Sequence, residues 1–239
     1  MSTDPLLVRV RGLWADRAGV PVQFPPPGGV RVVVSPRSGL CPPQWVGVVL
    51  LGHAAIVTAP NPRLAGRLRA ILPTLPVQSL TDTARIGAAL NVAGFGGPVT
   101  LHYVEQAQFR PARYRFAVES LPSGHPDLDA FLARQLDRDV ARSGLPRATV
   151  VFAVRLEDSV VAAAGYRLLP ARVAAVGALT APKWRGFGLA RTLVSAATSD
   201  ALAKRLLPQA TAVAGDARRI LASLGFRELG ARIDLRLAA

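Results

Sequence analysis

Residues 180–191 read Thr-Ala-Pro-Lys-Trp-Arg-Gly-Phe-Gly-Leu-Ala-Arg, and this stretch constrains the fold more than any other. An apolar run at 173–179 precedes it and an amphipathic run at 189–202 follows. The order is therefore strand, small-residue turn, helix. Pro182 ends the strand without needing an amide donor. Gly186 and Gly188 open left-handed conformations that other residues resist. Such a segment can serve as a turn and nothing more. It also leaves free N–H groups at the positive end of a helix, where a phosphate or pyrophosphate fits. It is neither a Gly-x-Gly-x-x-Gly nor a Walker loop, because the third glycine and the Gly-Lys-Ser/Thr ending are missing.

Composition removes several function classes. Half of the 239 residues are apolar, enough for a sizeable core. A single cysteine, Cys41, excludes an internal disulfide framework and a Cys-based zinc site. Flanked by Leu40 and a Pro-Pro pair, it reads as a buried spectator. The first residues are polar, unlike a leader, and the longest apolar run, 46–57, is too short to span a bilayer. A cytoplasmic protein is the expectation. The formal charge of +14 admits a nucleic-acid partner. The basic residues are nearly all arginines scattered singly, however, and the lysines are only Lys183 and Lys204. That is the usage of a GC-rich genome, so nucleic acid is not the expected partner.

Strands are expected at 30–34, 46–51, 54–58 and 99–104, and helices at 63–72 and 82–90. Gly96-Gly97-Pro98 leads into the fourth strand. Residues 128–142 carry Leu128, Phe131, Leu132, Leu136 and Val140 at helical spacing and predict one helix, ended by Gly144 and Pro146. Strands at 149–156, 160–168 and 173–180 follow as an antiparallel meander with a tight turn at Glu157-Asp158. After the glycine turn come the helix 189–204, a strand at 210–214, a helix at 217–224 stopped by Gly225, and a strand at 231–237.

This order resembles the GNAT superfamily of acetyl-CoA-dependent N-acyltransferases. The residues that carry the resemblance are Thr180-Ala181-Pro182, Arg185-Gly186-Phe187-Gly188-Leu189-Ala190 and Leu224-Gly225-Phe226-Arg227-Glu228. It covers roughly residues 113–239. It implies a mixed, mostly antiparallel sheet flanked by helices, with acetyl-CoA as cosubstrate, an amine acceptor and no metal. It further implies that the backbone of Arg185, Gly186, Phe187, Gly188, Leu189, Ala190 and Arg191 holds the CoA pyrophosphate. The edge of Ala178, Leu179 and Thr180 would bind pantetheine like an added strand. In such a fold the strand 173–180 and its parallel neighbour 210–214 splay at a bulge, and Gly177 is compatible with one.

The departures concern catalysis. The family's thiolate-protonating Tyr falls at Leu221, its Asn near Ala214 and Gly215, and the strand 173–180 carries no carboxylate. The catalytic residues are therefore unassigned. Glu119, His125, Asp139 and Tyr166 are candidates. Glu119 and His125 equally read as loop residues, Asp139 as a solvated helix position and Tyr166 as a strand aromatic.

Thr58-Ala59-Pro60-Asn61-Pro62-Arg63-Leu64 parallels the start of the glycine turn, and Gly94-Phe95 echoes Gly225-Phe226. The first half thus reads as a decayed GNAT-like unit or as a chance echo in an Ala/Pro/Arg-rich chain. Leu64 in place of the first glycine would crowd a pyrophosphate. His53 and His102 lie on apolar strands and read as core histidines. The expectation is an α/β chain with an N-terminal α/β subdomain at 1–107 and an N-acetyltransferase domain at 108–239. The alternatives are a CoA-binding protein of the same fold without catalysis and a basic nucleic-acid-binding module.

Overall fold

A computed structural model of the chain describes residues 4–213 and 215–238. It divides into two compact units, Met1–Leu101 with Leu229–Ala239, and His102–Glu228.

The first unit opens with α1 (Pro5–Arg17), a helix for which the sequence reading had no expectation. Asp4 accepts from the Leu6 and Leu7 N–H groups, Pro5 starts the helix, and Leu6, Val10 and Trp14 recur every four residues on the buried face. The strands β1 (Val30–Val34), β2 (Val46–Leu51) and β3 (Ala54–Ala59) follow as expected. Every residue of β2 and β3 is buried, as their unbroken apolar composition requires. Next come α2 (Pro62–Ile71), α3 (Thr83–Ala89) and β4 (Val92–Tyr103). The strands lie in the order β1-β3-β2-β10-β4, with β10 (Arg227–Leu237). β4 begins seven residues earlier than the sequence indicated. Its glycines do not break it, because each gives room to a large neighbour: Gly94 to the Arg236 guanidinium and Gly96 to the Asp234 carboxylate.

The second unit holds β5 (Glu119–Leu121), α4 (Pro126–Ala133), α5 (Asp137–Ser143), β6 (Val150–Leu156), β7 (Ser159–Leu169), β8 (Val173–Thr180), α6 (Leu189–Ala203), β9 (Leu207–Ala212) and α7 (Gly215–Ser223). The strand order is β9-β8-β7-β6-β5, antiparallel except for the β8–β9 pair. Both hairpin turns of the meander use left-handed pairs, Glu157-Asp158 in a two-residue loop and Ala171-Arg172 within the three-residue loop 170–172. On one face, Leu193 of α6 and Leu221 of α7 pack with Tyr166, Val176 and Phe226; on the other, Leu128 and Phe131 of α4 cover Val151, Ala163 and Leu179. Burial of each large side chain contributes about 1.5–3 kcal/mol.

Two differences from the sequence expectation have local causes. The single helix expected over 128–142 is two helices. Asp137 and Asp139 favour a fresh positive helix end at α5, and Leu136 before it is exposed rather than in the core. The strand expected at 210–214 begins earlier, at Leu207; Ala214 lies outside the described residues. Gly225 stops α7 with φ of 88°.

Candidate functional site

The glycine turn leaves β8 through a short 3₁₀ turn, Pro182–Trp184, and enters α6 at Gly188. Gly186 and Gly188 have φ of 88° and 81°, and a Cβ on either would meet nothing within 4 Å. Left-handed backbone and open space are the reasons for glycine here. No side chain caps α6, and the first backbone bond back into the turn is from the Thr192 N–H to the Gly188 carbonyl, 3.1 Å. The amides of Leu189, Ala190 and Arg191 thus form an uncapped positive end.

Around this end Phe187 is 59% exposed and meets Trp184 edge-on at 5.9 Å, while Lys183 Nζ lies 5.3 Å from the Trp184 ring. The Arg185 guanidinium turns back, donating to the Thr180 carbonyl and to Asp139 Oδ2, both at 3.3 Å. Arg191 donates to Ser223 Oγ at 3.0 Å. Thr180 Oγ1 is buried without a hydrogen-bond partner, a signal that no sequence pattern carries.

β8 is paired unequally on its two edges. With β7 the ladder is continuous from Val173↔Leu169 to Thr180↔Ala162. With β9 it runs only from Val173↔Leu207 to Val176↔Ala210. Beyond Val176, the edge carrying Gly177, Ala178, Leu179 and Thr180 has no ladder to β9 among the described residues. Backbone groups left so in a core strand need another partner. Gly177 does not bulge: its register with Gly165 is regular, and the irregularity of the meander sits at Val154/Arg155. Gly177 instead admits the C-terminus of α5, where a Cβ would overlap the Ser143 carbonyl.

The four acid–base candidates prove to be engaged. Glu119 of β5 receives the Arg155 guanidinium at 3.0 Å, which also pairs with Asp127 at 2.8 Å. His125 is the N-cap of α4, its Nδ1 accepting from the Asp127 N–H at 3.2 Å. Asp139 holds Arg185 beside the turn. Tyr166 donates to Asp200 Oδ2 at 2.5 Å and accepts from Lys204 at 3.1 Å. Burial and Asp200 push its phenol pKa upward. Asp200 lies twelve residues along α6 from Gly188, about 18 Å by helix rise, so this network belongs to the far end of the helix.

Leu221 is 5% exposed in the core under α7. His102 is buried and places Nε2 3.7 Å from Glu228 Oε2, and Glu228 is clamped by Arg218. Burial holds the imidazole pKa below its ordinary value, opposed by Glu228. His53, by contrast, is exposed and its Nδ1 pairs with the Gln78 amide at 3.0 Å. Among the described residues no three His, Cys, Asp or Glu side chains converge as a metal site, and no helix is long and apolar enough to cross a membrane.

In the first unit the parallel segment is closed. Asn61 Oδ1 accepts from the Leu64 N–H at 2.9 Å, and β3 is paired from Ala54 to Thr58 on β2 and from Ala55 to Ala59 on β1.

No curated protein matches the chain. Among solved structures, it is similar to a GNAT-family acetyltransferase from Novosphingobium aromaticivorans, with 25% identity over 60% of this chain and 65% of that one, TM-score 0.49. The chain thus spans under two thirds of that protein's length. It is also similar to a GNAT-family acetyltransferase from Colwellia psychrerythraea (16% identity, 75% of each chain, TM-score 0.49) and to a GCN5-related N-acetyltransferase-like protein from Streptococcus suis (15%, 81% and 84%, 0.49). The sequence itself matches the model of the acetyltransferase (GNAT) family over residues 110–226, and the domain that these residues form belongs to that family.

Proposed function

We propose that residues 108–239 transfer an acetyl group from acetyl-CoA to an amine. The observation that carries this reading is the pairing of an uncapped α6 N-terminus with the one-sided edge of β8. Pyrophosphate oxygens would take the amides of the Arg185–Arg191 turn, aided by the helix end. Pantetheine amides would pair with the Gly177–Thr180 edge as a strand does. The thioester then lies where β8 and β9 part, and a neutral amine attacks its carbonyl carbon. Positioning supplies much of the rate, and strand amides stabilise the oxyanion. A cytoplasmic setting suits this chemistry.

Buried Leu221 favours a second reading, a CoA-binding protein without turnover, because the position of the family's thiolate acid is apolar. Two measurements separate these. Calorimetry with acetyl-CoA tests binding, and thiol release across a panel of amines tests turnover. Gly188→Val is expected to abolish binding. The β-branched residue at φ of 81° costs about 1–2 kcal/mol, while its Cβ points into open space, so the fold survives. A folded Gly188→Val protein with unchanged affinity would refute the site. Salt-dependent DNA binding without acetyl-CoA binding would replace the enzyme by the basic module.

A further inference from the structure

We propose that His102 is the positioning residue that moves protons at the acyl-transfer slot, with Glu228 as its counter-ion. This rests on the reading just given and supplies what Leu221 and the carboxylate-free β8 lack.

The argument begins with register. The Val104 N–H, at the exit of β4, donates to the carbonyl of Pro208, at the start of β9, at 3.4 Å. His102, Val104, Pro208 and Ala210 all belong to the second unit, and segments joined exit to start in this way run antiparallel. His102, two residues back, therefore stands beside Ala210, two residues on. Ala210 is the last residue of β9 paired with β8, opposite Val176. Val176, Ala210 and His102 thus form one row across three strands, at the point where the slot opens. One strand spacing, about 4.8 Å, separates His102 from Ala210.

The chemistry of the group suits the place. The imidazole is buried. Burial favours its neutral, proton-accepting form. When protonated it finds Glu228 Oε2 3.7 Å from Nε2. The charged groups acting on it are Glu228 of β10 and Arg218 of α7. Both are partly exposed, so the pair links a buried base to solvent. In the transfer, the amine nitrogen bonds to the acetyl carbon. The C–S bond breaks and its electron pair leaves on sulfur. The nitrogen loses one proton, which passes through water to the imidazole. From there it returns to the thiolate, with no net change in protons.

The chain has three histidines, His53, His102 and His125, so imidazole NMR resolves them, with His102→Gln for assignment. Adding CoA is expected to move the titration midpoint of His102 and to leave His53 unchanged. Glu228→Gln, at a half-exposed position, is expected to lower that midpoint and to shift the acid limb of the pH–rate profile with it. His102→Gln should lower kcat by about 10²-fold with little change in KM. An unmoved His102 resonance with CoA shown bound by calorimetry overturns the inference and leaves the proposed function intact. Absence of CoA binding by calorimetry overturns both.

Discussion

Gly177→Ala tests the packing behind the slot. The residue lies in β8, opposite Gly165, at the first position beyond the β9 ladder. If only strand propensity mattered, alanine would stabilise the fold by about 0.4–1 kcal/mol, through a less flexible unfolded chain. The structure reverses the sign. The new methyl would stand 2.9 Å from the Ser143 carbonyl carbon, tighter than real contacts, and would overlap its oxygen. Ser143 ends α5, and its hydroxyl already donates to the Val140 carbonyl at 2.7 Å, so the helix end cannot simply turn aside. Overpacking of this kind costs about 1–3 kcal/mol. Because the overlap is with backbone, the upper part of that range, about 2–3 kcal/mol, applies, and against the propensity gain the expected net loss is roughly 1–2.6 kcal/mol. For a chain of this size that is a fall in Tm of about 2–10 °C. The assay is thermal unfolding followed by circular dichroism, with Gly66→Ala on the open face of α2 as control, where a Cβ meets nothing. A Gly177→Ala protein as stable as its parent, or more stable, refutes the packing argument.

Leu221→Tyr should destabilise rather than restore a thiolate acid. Leu221 is packed with Leu224 and Phe226, and the larger phenol costs about 1–3 kcal/mol; a stable variant with raised turnover would place the side chain at the site instead. Asn61→Ala should cost about 1 kcal/mol by removing the cap of α2 while leaving acetyl-CoA affinity unchanged; a change of affinity in calorimetry would refute the closed reading of that segment.

What was legible in the sequence is what local sterics dictate. Gly186 and Gly188 announced a left-handed turn because few other residues tolerate it. The meander was readable because apolar runs alternate with short polar turns. Gly225 marked a helix stop for the same reason as Gly186. The helix break after Ala133 was less visible, since Leu136 satisfies the helical spacing and only the solvent exposure of that side chain excludes it from the core. A strand glycine is compatible with both a bulge and a close approach, and at Gly177 the approach could not be read locally because Ser143 is 34 residues earlier in the chain. Tyr166 looked available because its partners, Asp200 and Lys204, arrive from another element. The same holds for His102, whose meaning depends on Glu228, 126 residues away.

The two Thr-Ala-Pro segments differ in what their helix ends and strand edges leave open. Both follow a buried strand and both precede a helix. At α2 the N-cap is Asn61, whose side chain occupies the Leu64 amide. A phosphate there would have to displace a bond worth about 1 kcal/mol. At α6 the N-cap is Gly188, which has no side chain to offer. The strands differ in the same sense. β3 is paired on both edges, so an added strand has no groups to meet. β8 loses its second partner after Val176. On the proposed reading an acyl-CoA uses both features at once, a bare helix end for its pyrophosphate and a bare strand edge for its pantetheine. Closing either one suffices to exclude it. The first-unit segment has closed both, so restoring binding there would take more than removing Asn61: the β1 ladder, built on Val30–Val34, would also have to part.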